Sequence, residues 1–430
     1  MDGGEGARRN FLFLQGVASR FFSRLGQELA ARGHGVRRIN FNGGDRLFWR
    51  LPGAVDYRSD LQHWPEFFED KLDLWNVTDV ILFGDCRPLH KVAIEIARRH
   101  CVSVHVFEEG YLRPYWITLE RDGVNANSPM PRDPNWFFAA AQRLPPFRPG
   151  RPVHTSFRRR AWEDIAYNFS TVFMAWRYPG FRTHRPWHPF VEYAGWSGRF
   201  ARKLLLEKIR VARAWPVAMR NPFFFFPLQL DCDTQIRQHS EIGRMAPALE
   251  HVIGSFARHA PPDHFLVLKE HPLDNGLQDW RRLTLQIAAR HGIADRVVYL
   301  ENGDLETLVQ RSKGVVTVNS TVGARALVHG VPLIALGRAI YNIRGLTFSG
   351  SLDEFWRGGR APNARLFDAF ARVLADRCLV NGDFFGDVGI ALAVAGSIAR
   401  FEGRAVAILE PSAAFVSQTE IVHVPFAAAS

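Results

Sequence analysis

The chain has 430 residues, 47% hydrophobic and 23% charged, the balance of a protein able to bury a full core and long enough for two domains. No run of eighteen apolar residues occurs, and the N-terminal MDGGEGARRN lacks the basic-then-apolar order of a signal peptide. Neither a membrane span nor secretion is therefore expected, and the location expected is cytoplasmic. The formal net charge is +11, and the excess is local: Arg151 to Arg220 holds fourteen Lys and Arg against four acids.

Phe11 to Gln15 (FLFLQ) reads as a buried strand, Phe21, Phe22, Leu25 and Leu29 as the helix after it, and Val36 to Phe41 as a second strand. Asn42-Gly43-Gly44-Asp45 closes that strand, and its glycines either let backbone approach a ligand or make an ordinary turn. Leu61 to Trp75 is helical by pattern. Asp79 to Phe83 (DVILF) is a strand ending at Gly84-Asp85-Cys86-Arg87, and His90 to Arg99 is the next helix. Val102 to Phe107 (VSVHVF) is a further strand, running into Glu108-Glu109-Gly110-Tyr111-Leu112-Arg113. Strands alternating with helices predict a parallel, doubly wound sheet whose strand-end loops share one rim. Asp45, Asp85, Arg87, Glu108, Glu109 and Arg113 are expected on it.

Ser128 to Pro149 is rich in proline and reads as a connection. The basic segment that follows is also aromatic, with Trp162, Phe169, Phe173, Trp176, Trp187 and Phe190 among others, and Arg199 to Trp215 is its strongest helix pattern. Such a mixture suits an anionic membrane surface, a nucleic acid, or a solvated basic face over a local aromatic cluster.

A second alternating series begins with Phe223 to Leu230 (FFFFPLQL), an apolar run stable only out of water. Asp231 and Asp233 stand just past it, where crevice ligands of open α/β sheets bind and where an Asp also caps a following helix. Phe265 to Leu268 (FLVL) leads to Lys269-Glu270-His271-Pro272, placing an imidazole at another strand end. Gly314 to Val318 leads to Asn319-Ser320-Thr321-Val322-Gly323, which has the donors of a phosphate cradle and equally those of a helix cap. Val331 to Leu336 precedes Gly337-Arg338, and Phe367 to Leu379 and Ile390 to Glu402 read as closing helices. Cys86, Cys101, Cys232 and Cys378 are scattered, so no metal centre or disulfide frame is suggested.

The fold class predicted is α/β and GT-B-like, two Rossmann-like domains facing a central cleft. Residues 1–150 are the first Rossmann-like unit, 151–220 a basic aromatic insertion or linker, 221–385 the second, nucleotide-sugar unit, and 386–430 a closing helix and tail.

FEEGYLRPYW (Phe107 to Trp116), PLQLDCDTQI (Pro227 to Ile236), KEHPLD (Lys269 to Asp274) and NSTVGARALVHGVPLIALGRAIY (Asn319 to Tyr341) together resemble the motifs of the capsule polysaccharide biosynthesis family, KpsS/LipB type. FLQG, NFNGGD and LFGDCRPLH are similar to it too. The resemblance implies a retaining β-Kdo transferase that takes Kdo from CMP-Kdo to a lysophosphatidylglycerol-type lipid at the inner-membrane surface, beside other capsule assembly and export proteins. It implies Asp233 as the nucleophile, Glu108 as acid or base with Glu109 as its substitute, and His271 with Lys269 on the donor's charged groups. Asn319, Ser320 and Thr321 would bind the CMP phosphate, with Gln229, Pro272, Gly323, Arg338 and Arg113 completing the donor site. No metal, cofactor or nucleic acid is implied. Ala324-Arg325 follows the NSTVG turn where related transferases commonly have a glutamate. The competing readings are a GT-B transferase using another nucleotide-sugar and a non-catalytic, membrane-associated capsule export factor.

Overall fold

The structure, a computed structural model, describes residues 8–403 apart from 155, 184–186, 188, 203–207, 232–235, 237–239 and 241. In the first sheet, β1 (Asn10–Phe13), β2 (Gly35–Asn40), β3 (Ala54–Asp56), β4 (Asp79–Phe83) and β5 (Ser103–Glu109) are parallel, in the order β3-β2-β1-β4-β5. Antiparallel strands β6 (Trp116–Arg121) and β12 (Leu379–Asn381) extend its β5 edge. The second sheet is wholly parallel: β7 (Phe223–Pro227), β8 (Phe265–Lys269), β9 (Val297–Leu300), β10 (Gly314–Thr317) and β11 (Leu333–Ala335) lie in the order β11-β10-β7-β8-β9. Each half thus has its first strand in the middle and reverses its winding beside that strand. That topology opens a crevice at the strand ends, and the GT-B-like expectation of two Rossmann-like units holds.

Why the strands form is clearest in β7. Phe223 and Phe225 pack into one hydrophobic cluster and Phe224 and Phe226 into another, so both faces of the strand are buried and no polar alternation survives in its sequence. Two features depart from the all-parallel expectation. Glu108 and Glu109 lie on β5, not in a loop after it, and pair across the antiparallel ladder with Thr118 and Ile117. The chain also returns to the first sheet near its end: β12 pairs with β6, and α15 (Asp387–Phe401) packs on α1 (Phe21–Ala31) through a cluster that includes Phe21, Leu25, Ile390 and Val394. Residues 379–381, grouped by sequence with the second unit, therefore belong to the first sheet.

Between these elements run α2 (Gly43–Phe48), α3 (Trp64–Leu74), α4 (Pro88–Arg99) and α5 (Pro134–Ala141), the last a helix within the stretch expected to be a mere connection. Asp133 caps it by accepting the Asn135 N–H, and Pro134 occupies its first turn, where a missing N–H costs nothing. The basic segment forms α6 (Phe157–Phe173), α7 (Pro189–Arg202) and α8 (Lys208–Arg220), so the helix expected over Arg199 to Trp215 falls in two described pieces. The second half adds α9 (Met245–His259), α10 (Trp280–Arg290), α11 (Leu305–Arg311), α12 (Val322–Val328), α13 (Leu352–Gly358) and α14 (Ala364–Arg377).

Helix α6 covers the strand ends of the first half. Its Tyr167 hydroxyl accepts from Gln15 (2.7 Å) and Asn42 (2.9 Å) and donates to Asp45 (3.1 Å), and Asp45 is ion-paired with buried Arg38 at 3.2 Å. Burial raises the Asp45 pKa and lowers that of Arg38, and each charge offsets the other's penalty. Gly43 and Gly44 are required by this contact: a Cβ on Gly43 would lie 2.1 Å from the Ser170 carbonyl oxygen, and one on Gly44 2.5 Å from the Tyr167 ring. The NGGD turn admits a helix, then, where a ligand was one expectation. Asp45, 1% exposed, is not on an open rim. Asp85 is also buried, accepting from the Val124 N–H (3.0 Å) and Asn127 (3.1 Å).

Candidate functional site

The polar motif residues gather at the end of β5 in the first half and at the ends of β7, β8 and β10 in the second. At the end of β8 the motif KEHPLD is fixed residue by residue. Lys269 is the last, buried residue of the strand. Glu270 accepts from the Tyr299 hydroxyl (2.8 Å) and pairs with Arg199 of α7 (3.1 Å). Its pKa is raised, chiefly by burial, with the Arg199 charge opposing. Asp274 accepts the Gly276 N–H (2.7 Å) and the Trp280 indole N–H (2.9 Å), which ties down the far end of the loop. Arg199 also donates to the carbonyls of His271 (3.3 Å), Pro272 (3.1 Å) and Asp274.

All of this holds one imidazole. His271 Nδ1 accepts the Leu273 N–H at 3.1 Å, which leaves the proton of the neutral ring on Nε2 as a donor. Burial pushes its pKa down to about 4, and the charges of Lys269, Arg113, Arg199 and Arg160 push in the same direction. Two of those cations come from the first half: Arg113 follows β5, and Arg160 lies on α6. Charges from both halves thus act on His271, with Glu109 balancing Arg113 and Arg160 and Glu270 balancing Arg199, and the neutral ring keeps an Nε2 donor that suits an anion.

Across this junction the paired glutamates of β5 differ. Glu109 is ion-paired with Arg160 (3.2 Å) and with Arg113 (3.6 Å), so it anchors the same two arginines that act on His271. Glu108 accepts the Glu109 N–H (3.0 Å), and its carboxylate lies 3.6 Å from where a Gly84 Cβ would be. Gly84, with φ +70, turns the chain at the end of β4 in a conformation that favours glycine.

Around β7 and β10 the polar residues serve each other. Gln229 donates to the Asn319 side chain (3.1 Å) and accepts the Asn319 N–H (3.2 Å), a buried amide pair joining the two strand ends at the switch point of the second sheet. Ser320 accepts the Val322 N–H (3.2 Å), and its carbonyl accepts from Tyr341 (2.5 Å). Thr321 stands at the N-cap of α12 without a side-chain capping bond. The absent side chain of Gly323 makes room for Tyr341, whose hydroxyl lies 2.4 Å from the site of a Cβ. Arg325, in the place of the missing glutamate, pairs with Glu306 at 2.6 Å. Pro272 and Arg338 are exposed. Asp231 accepts the Met245 N–H at the start of α9 at 2.8 Å. Asp233 itself lies outside the described residues.

Sequence reasoning missed Arg160 and Arg199. Both belong to a segment legible only as basic and aromatic, and their partners lie 51 and 71 or more residues away, a separation that leaves no local pattern. Among the described residues no helix is long and apolar enough to cross a membrane, and no group of three His, Cys, Asp or Glu is placed to hold a metal ion.

A family model described as capsule polysaccharide biosynthesis protein matches residues 78–385. The capsule polysaccharide modification protein LipB of Neisseria meningitidis is 36% identical over 386 residues, covering 88% of this chain and 92% of that protein. The capsule polysaccharide export protein KpsS of Escherichia coli is 33% identical over 384 residues, covering 88% and 97% respectively. Among solved structures, the β-Kdo 2,7 transferase KpsC of Thermosulfurimonas dismutans aligns over 92% of this chain and 99% of its own with 14% identity and a TM-score of 0.45.

Proposed function

Because this chain belongs to the capsule polysaccharide biosynthesis protein family, we propose that it is a retaining β-Kdo transferase, moving Kdo from CMP-Kdo to a lysophosphatidylglycerol-type lipid at the inner-membrane surface. The observation that carries the reading is the loop after β8, where His271 Nδ1 accepts the Leu273 N–H and leaves Nε2 to donate, with Lys269 ending the strand and Arg199 bound to the loop carbonyls. CMP-Kdo is an anion twice over, through its phosphate and the sugar carboxylate, and such a pocket neutralises it with protein charges. In this reading Gln229, Asn319, the Ser320–Thr321 turn and Arg338 bind the nucleotide.

In this reading the Asp233 carboxylate forms a bond to the anomeric carbon as the bond to CMP breaks, the leaving phosphate keeping the electron pair. The acceptor hydroxyl then displaces Asp233 and gives its proton to Glu108. Two inversions yield net retention. In this reading Glu108 is the acid or base, and Glu109, paired with Arg113 and Arg160, anchors those arginines. The charge of the pocket also suits a diphosphate donor, so a UDP-sugar is the second reading, and inhibition of turnover by CMP against UDP distinguishes the two.

Purified protein given CMP-Kdo and a lysophosphatidylglycerol analogue is expected to release CMP, and Asp233→Ala to abolish release while the fold persists. Undiminished turnover in that variant removes Asp233 from the chemistry.

A further inference from the structure

Helix α6 is amphipathic in the wrong sense for a helix on a protein surface. The face turned to the protein is polar: Tyr167, Ser170 and Thr171 hydrogen-bond to the α2 turn. On the opposite face Trp162, Phe169 and Phe173 fall at spacings of seven and four, which is a single stripe, and Trp176 follows in the short 3-10 turn after the helix. Trp162 is 70% exposed, Phe173 81% and Trp176 76%. Phe190 of α7 adds to the stripe, its ring 6.4 Å from that of Phe169. Large aromatics cost free energy in water, so a stripe of them directed outward, on a helix that turns its polar side inward, marks a face that meets something other than water.

Charge says what that is. Beside the stripe, outside the cleft, α1, α2 and α6 enclose a groove of about 750 Å³ whose floor is apolar, with Leu47, Phe48 and Leu51, and whose wall includes Arg20, Arg24, Arg50 and Arg159. Arg159 is held by Asp387 (2.7 Å) and Glu163 (3.3 Å). The guanidinium groups of Arg20, Arg24 and Arg50 form no hydrogen bond or ion pair with another described residue, although Asp387 and Glu163 feel the Arg20 charge. Four cations against two acids above an apolar floor, next to rings of the kind that settle at headgroup depth, complement an anionic phospholipid leaflet.

We propose that the outer face of α6, with the arginine groove beside it, seats the protein on an anionic bilayer, the rings entering the headgroup layer and Arg20, Arg24 and Arg50 meeting lipid phosphates. Arg160, one residue on from Arg159, reaches Glu109 in the cleft, so seating α6 brings the cleft to the membrane. This docking deepens the lipid-acceptor reading and rests on it for its purpose, but binding is read without turnover, so either can fail alone.

The test uses the full chain with vesicles of phosphatidylcholine, with or without about a third phosphatidylglycerol, at roughly 0.1 M salt. Cosedimentation with the anionic vesicles only, weakening as salt rises, is expected, together with a blue shift of tryptophan emission. Phe173→Ser with Trp176→Ser is expected to weaken binding about tenfold or more, and Arg20→Glu with Arg24→Glu by a similar factor. Because the Phe173 ring touches little of the protein, Phe173→Ser alone keeps the fold and carries the test if a double variant does not. Equal binding to neutral vesicles, or wild-type binding by the variants, overturns the proposal, whatever the transferase assay shows.

Discussion

The two halves share one strand order, 3-2-1-4-5 in each half's own count, yet their strand ends have opposite fates. In the first half the crevice above β1 and β2 is closed by α6, and its polar residues, Gln15, Asn42, Asp45 and Arg38, are used up in holding that helix. In the second half the loop after β8 is held by Arg199 of α7, and its bonds leave the Nε2 donor of a neutral imidazole unspent. What this teaches is that strand-end position alone does not make a ligand site. The difference lies in whether the hydrogen bonds there are satisfied by another element or leave a donor unspent.

The largest effects are expected in the first half, at the two glutamates ending β5, of which Glu109 is tied to α6 through Arg160. Glu108→Gln is expected to lower kcat by about 10²–10⁴, whereas Glu109→Gln, which frees Arg113 and Arg160, is expected to raise the donor KM more than it lowers kcat. Equal kcat losses would erase the distinction between acid and anchor. A smaller effect is expected in the second half: Lys269→Met removes a cation beside His271 and should weaken CMP binding about tenfold to a hundredfold, ~1.5–3 kcal/mol by calorimetry. Smallest in function, though not in stability, is Tyr167→Phe. It leaves Gln15, Asn42 and Asp45 short of one partner and should cost about 1–3 kcal/mol of unfolding free energy in denaturant titrations, with CMP affinity unchanged. A loss of CMP affinity there would show that the covered half also serves the donor.

The parallel strands were legible because burial on both faces leaves continuous apolar runs, such as DVILF and FFFFP, bounded by turn residues. The antiparallel edge was not. β12 is three residues long and pairs Leu379 with Thr118 across more than 250 positions, so nothing near either strand announces the other. WITLER, on β6, does alternate, and that signal was available. The motif KEHPLD was legible as a strand-end histidine, but the cations that set its chemistry arrive from α6, α7 and the β5 edge. At NGGD the sequence left a ligand and a turn open, and glycine there admits a helix; at α6 the apolar residues point out and the polar ones in.

A pH titration of the His271 imidazole by NMR decides whether the loop after β8 holds an anion. Since its folded pKa is lowered from 6.5, His271 contributes its full stability above about pH 6.5. That contribution is lost as the pH falls toward 4, because protonation favours the unfolded chain. In the free protein the ring is expected to stay neutral until about pH 4, and saturating CMP, by placing negative charge beside Nε2, is expected to raise that value. An ordinary titration near 6.5 that CMP does not move would contradict the account.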